Sequence, residues 1–72
     1  MQTYISTVYD KDDKMIDFER WSYKKINTVI KNLKLLYKAS FYKTVLKDAK
    51  YITIEDNKSN IIIIDINKIM ED

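Results

Sequence analysis

The stretch YKKINTVIKNLKLLYK, residues 23–38, decides the fold. In it Ile26, Val29, Ile30, Leu33, Leu36 and Tyr37 recur at steps of three, one, three, three and one. With about 100° per residue and Ile30 as origin, they occupy roughly −120° to 0° of the helical wheel. A single apolar stripe of this kind predicts an amphipathic helix over 23–38. Ser22 is placed to cap its start by accepting a bond from a first-turn amide. Lys24 and Lys25 stand where the helix dipole favours anions, so they work against that end. Beyond Ala39 the stripe falls out of phase, which predicts a break near Ser40. Tyr42, Val45, Leu46 and Ala49 keep three- and four-residue spacing and predict a second, short helix over 41–49. The run Phe41 to Leu46 is also β-prone, so a strand is the alternative there.

On both sides of the helical segment the period falls to two. Residues 2–9 (QTYISTVY) are β-branched and aromatic and read as a strand. Residues 10–14 (DKDDK) are turn-like, because aspartate side chains bond their own backbone. In MIDFER, residues 15–20, Ile16 and Phe18 alternate with Asp17 and Glu19. This predicts a half-buried strand with Ile16 and Phe18 inward. With no Asn-Gly or Asp-Gly pair, the connection is expected to take three to five residues. Tyr51 to Glu55 alternates as a third strand, and 56–60 (DNKSN) is a second turn. Residues 61–66 (IIIIDI) are β-branched on both faces, which predicts a final strand that is central or covered on both sides. Asn67 to Asp72 is expected to add a helical turn, with Ile69 and Met70 packing back. No repeat or linker interrupts the pattern. The reading is one small α+β domain over 1–72, ββααββ in two layers. A four-stranded antiparallel sheet carries one long and one short helix on one face.

Composition removes most chemistry. The 72 residues contain no glycine, proline, cysteine or histidine. Without cysteine there is no thiolate nucleophile, disulfide or zinc–thiolate site. Without histidine the imidazole acid/base and the usual metal ligand sets are gone. Without glycine, phosphate-cradling loops and nucleophile elbows have no place to form. The expectation is a protein that is not an enzyme and takes no cofactor. The longest apolar run is Ile61 to Ile64, against about 20 residues for a membrane span. No basic start and apolar run of a signal peptide precede Tyr4, so a cytoplasmic location is expected. A chain this short buries a modest share of its surface, which makes self-association worth expecting.

Charge carries the functional signal. Residues 1–19 have a net charge of −3, residues 20–50 of +8, and residues 51–72 of −3, for the total of +2. On the 23–38 wheel Lys24, Asn27, Lys31, Lys34 and Lys38 lie between about +40° and +120°, opposite the apolar stripe. This ridge attracts anions. It holds no arginine, so contact with a nucleic acid would be to phosphates and not to bases. The bland alternative is a solvated face. Trp21 is out of phase with both apolar faces and is an interface candidate, with core filling as its alternative. Asp10, Asp12 and Asp13 open like a calcium loop, but the sixth position lacks glycine and Trp21 stands where glutamate belongs. They are either a charged turn or an acidic patch for a partner's basic groove.

The opening YISTVYD (residues 4–10) and the closing AKYITIED (residues 49–56) resemble, in style, small phage and mobile-element proteins of the anti-CRISPR type. The abundance of Lys, Ile and Asn fits a low-GC host. The resemblance implies a non-enzymatic inhibitor that occludes a host nucleic-acid-processing protein, for example a CRISPR effector. Its partner would be a host protein or protein–nucleic-acid complex in the bacterial cytoplasm. It assigns no residue a role. Two other expectations stand beside it: a nucleic-acid-binding regulator that uses the lysine ridge, and a structural homodimer paired through 61–66 or the helices.

Overall fold

The computed structural model describes residues 2–71. Its two hairpin turns are built alike. Asp10 Oδ1 accepts from the amides of Asp12 (2.8 Å) and Lys14 (3.0 Å). Asp56 Oδ1 likewise accepts from those of Lys58 (2.8 Å) and Asn60 (2.9 Å). Each turn passes through one left-handed residue, Asp13 at φ 62° and Ser59 at φ 67°. In a chain without glycine, aspartate and serine take the positions that glycine usually holds.

These turns join β1 (Gln2–Asp10) to β2 (Met15–Tyr23), and β3 (Ala49–Asp56) to β4 (Ile61–Asp65). The first connection takes four residues, within the expected range. Between the hairpins lie α1 (Ile26–Tyr37) and α2 (Ser40–Val45), and α3 (Ile66–Met70) follows β4. The sheet is antiparallel, in the order β2-β1-β3-β4. This is the expected two-layer α+β architecture. α3 stands in place of the expected final turn over 67–72, but it starts one residue earlier and ends at Met70, and Asp72 lies outside the described residues. Tyr4, Val8, Ile52 and Ile54 face the helices and meet Val29, Leu33 and Tyr37 of α1, with Leu46 and Ile69 completing the core.

The register contains an internal symmetry that the sequence hides. β1 and β3 pair so that Thr7 lies opposite Thr53, and the two turns begin at Asp10 and Asp56. A pseudo-two-fold through the Thr7–Thr53 pair therefore relates the β1-β2 hairpin to the β3-β4 hairpin.

Four expectations are corrected. The helix starts at Ile26 and not at 23, because Ser22 and Tyr23 stay in the β1–β2 ladder opposite Thr3 and Gln2. Ser22 therefore cannot cap α1. The cap position falls to Lys25, which makes no side-chain bond there. The second helix ends at Val45, because Ala49 is drawn into β3 opposite Asp10. Phe18 faces away from the helices and is 58% exposed. Asp17 and Glu19 share the alternation of Trp21 and lie on the helix side opposite Val8 and Ser6, and a ladder shift between Val8 and Tyr9 leaves Ile16 without an opposite residue. Finally, β4 is an edge strand and not a covered one. Asp65 caps α3 by accepting from the Asn67 amide at 2.8 Å, which ends the strand after five residues.

Candidate functional site

Every helix lies on one side of the sheet, so the other side is uncovered among the described residues. The registers align its side chains in cross-strand rows. One row runs Met15, Tyr9, Tyr51, Asp65; the next Phe18, Thr7, Thr53, Ile63; the third Arg20, Ile5, Glu55, Ile61. Met15, Phe18, Ile61 and Ile63 are each more than half exposed. Small threonines in the middle of the central row, with Phe18 and Ile63 at its ends, give the face a shallow trough. Tyr9 and Tyr51 stack at 5.1 Å at one end of it. The exposed apolar residues fall into two groups on one face, Met15 and Phe18 on β2 and Ile61 and Ile63 on β4. Grouped exposed apolar side chains, unlike ones scattered singly, are what a binding surface presents.

The second surface is the outer face of α1. Asn27, Lys31, Lys34 and Lys38 line one groove together with Ile30 and the exposed Leu35. Lys24 precedes the helix in the connection from β2. The spacing thus brought four of the five ridge residues together. Leu35 lies on this polar side and is 64% exposed.

The remaining candidates have structural work. Trp21 lies on the inward face of β2, donates from Nε1 to Ser6 Oγ at 2.9 Å, and stacks on Tyr23. It is in phase with that face, contrary to the sequence reading, because the face is not the one that Ile16 and Phe18 suggested. Asp10 staples its turn, and its carboxyl is held below the ordinary value, chiefly by the Lys14 amide. Asp13 Oδ1 accepts from the Tyr51 hydroxyl at 2.9 Å, which raises that phenol's pKa. Asp12 lines a mixed-sign hollow with Asp10, Lys11, Lys47, Asp48, Lys50 and Asp65. No group of three or more potential metal ligands comes together among the described residues.

The polar cluster inside the sheet was not foreseen. Asp17, Glu19 and Trp21 of β2 face Ser6 of β1 and the two tyrosines, Tyr37 and Tyr42. Tyr42 donates a long bond of 3.4 Å to Glu19 Oε1. Tyr37 is fully buried, and neither its hydroxyl nor Asp17 Oδ2 has a hydrogen-bond partner of ordinary geometry. Burial, followed by the Asp17 carboxylate, drives the Tyr37 pKa upward. The usable signal was the parity of Trp21 and Tyr23. They share alternation with Asp17 and Glu19, and two large aromatics outweigh Ile16 and Phe18 as core formers.

The chain matches no protein-family model, no curated protein and no solved structure.

Proposed function

We propose that this chain is a non-enzymatic protein-binding module that receives an amphipathic helix of a partner protein in the trough of its open sheet face. The observation that carries this reading is the row Phe18–Thr7–Thr53–Ile63, apolar at its ends and low in its middle. Arg20 and Glu55 flank Ile5 in the adjacent row and supply opposite charges to orient the guest. On the finer reading the module is a phage- or mobile-element-type inhibitor that occludes a host nucleic-acid-processing protein. The support is the polarity of the body, with a basic α1 surface on the side opposite the apolar face.

The test is an affinity pulldown from a low-GC bacterial lysate with and without nuclease, using the wild type, Phe18→Ser and a Lys31/Lys34/Lys38→Gln triple variant. A stoichiometric protein that survives nuclease, persists with the triple variant and is lost with Phe18→Ser is the expected result. Recovery that vanishes with nuclease and with the triple variant, but not with Phe18→Ser, overturns it. That outcome favours the second reading, phosphate-backbone binding in the Asn27–Lys38 groove. Affinity would then fall steeply with salt.

A further inference from the structure

The two edges of the sheet are not equivalent. β2 carries Asp17, Glu19 and Arg20, and its ladder with β1 shifts register between Val8 and Tyr9. Charges and bulges are what keep an edge from pairing with another chain. β4 has neither over Ile61–Ile64, and its ladder with β3 is regular. Ile61, Ile62 and Ile63 are 57%, 38% and 71% exposed. Ile61 and Ile63 lie on the open face and Ile62 on the helix face, so this strand shows apolar surface on both sides of the sheet.

We propose that the chain forms a two-fold homodimer in which β4 pairs antiparallel with β4 of a second copy, centred on Ile62. The occupant follows from the edges. Joining β4 to the guarded β2 of another copy would be head-to-tail and would meet charge, whereas β4 on β4 is self-complementary and closes. The register follows from parity and charge. Side chains opposite one another must share a face, so the two-fold axis passes through one residue. An axis at Ile63 sets Asp65 against Ile61 of the other copy, and an axis at Ile64 sets it against Ile63. An axis at Ile62 sets Ile61 against Ile63 and Ile64 against Asn60, and leaves Asp65 past the paired stretch, beside the other copy's turn at 57–59. Lys58 lies in that turn, so this register puts a cation near the end of the strand where Asp65 stands. The contact covers on the order of 1,000 Å² in total, the lower end of specific interfaces, so the dimer is reversible and concentration-dependent.

This inference goes beyond the trough reading, and its test separates the two. The chain has no native cysteine, so single cysteines report cleanly. Facing residues in an antiparallel pair have Cβ atoms about 4.5–5.5 Å apart, close to disulfide reach. Under mild oxidation Ile62→Cys should cross-link to a covalent dimer several-fold faster than Ile61→Cys or Ile63→Cys alone. A mixture of Ile61→Cys and Ile63→Cys should cross-link to each other. Sedimentation equilibrium of the wild type should show mass rising from 8.7 kDa toward its double with concentration. Ile62→Lys should stay monomeric with unchanged circular dichroism, while Phe18→Ser should still dimerise. A wild type that stays monomeric at all concentrations overturns the proposal. So does cross-linking that peaks at Ile61 or Ile63 alone, or a dimer lost in Phe18→Ser and kept in Ile62→Lys. Should Ile62→Lys unfold, the cysteine series still decides.

Discussion

At the scale of single residues, Tyr37 carries an energetic cost. It fills the space between α1 and β2, yet its hydroxyl is buried beside Asp17 with no hydrogen bond of ordinary geometry. An unpaired buried hydroxyl costs about 1–3 kcal/mol, so removing it should help. Tyr37→Phe is expected to raise stability by about 1 kcal/mol, or about 4–8 °C in melting temperature for a domain of this size. The same group gives a pH signature. Its folded pKa lies above the ordinary value of 10.0, so the fold favours the protonated phenol. As pH rises past about 10 the unfolded chain releases a proton that the native state keeps, and stability falls. Denaturation midpoints between pH 8 and 11 should fall less steeply in Tyr37→Phe than in the wild type. Tyr42 and Tyr51 are shifted in the same direction and will leave a residual slope.

At the scale of elements, α1 is well packed and poorly started. Val29, Leu33 and Tyr37 are fully buried, while the cap position holds Lys25 in an extended conformation and no acid occupies the first turn. Lys25→Asp would supply a side-chain acceptor for the first-turn amides and a charge of the sign the dipole favours. The expected gain is about 1 kcal/mol, measured by urea denaturation with the slope unchanged. The long helix and the first three strands were legible from periodicity, because period 3.6 and period 2 are local properties; β4 was legible from its β-branched run, and the short α2 as helix with a strand as the alternative. Their boundaries were not. The helix start moved because Tyr23 is held in the β1–β2 ladder opposite Gln2, and α2 was shortened because Ala49 pairs with Asp10. Such pairings lie outside the window in which a period is read. The face of β2 was misread because Ile16 and Phe18 were weighed without Trp21 and Tyr23, which share the parity of Asp17 and Glu19; the bulge at Ile16, which exists only between two strands, further breaks the link between Ile16 and Phe18.

For the whole molecule, the central strands and the edges should differ in stability. Tyr4, Ser6, Val8, Ile52 and Ile54 lie in β1 and β3 under α1, whereas α2 buries no residue completely. Amide hydrogen exchange should be slowest for β1, β3 and the middle of α1, and fastest for α2. β4 should exchange quickly in dilute solution, and its outward amides should gain protection as concentration rises. Unchanged β4 protection from dilute to concentrated samples would count against pairing at that edge. The pseudo-two-fold through Thr7 and Thr53 makes β2 and β4 counterparts, and their different side chains decide which one is open to pairing. The lysine ridge was readable because helix spacing alone groups Asn27, Lys31, Lys34 and Lys38. The open-face trough was not, because it is made of side chains from four strands whose order and register no local pattern encodes.

The sequence by itself determined the class of fold, the elements, the basic face of α1 and the poverty of catalytic groups. Each follows from composition or from a period of a few residues. Only the tertiary structure decided that Phe18 points outward, that Asp17 and Glu19 point inward, that Trp21 bonds Ser6, and that four isoleucines stand at an edge. These depend on which strands lie side by side and in what register. That choice is made by the packing of the whole sheet against the helices, not by any single segment.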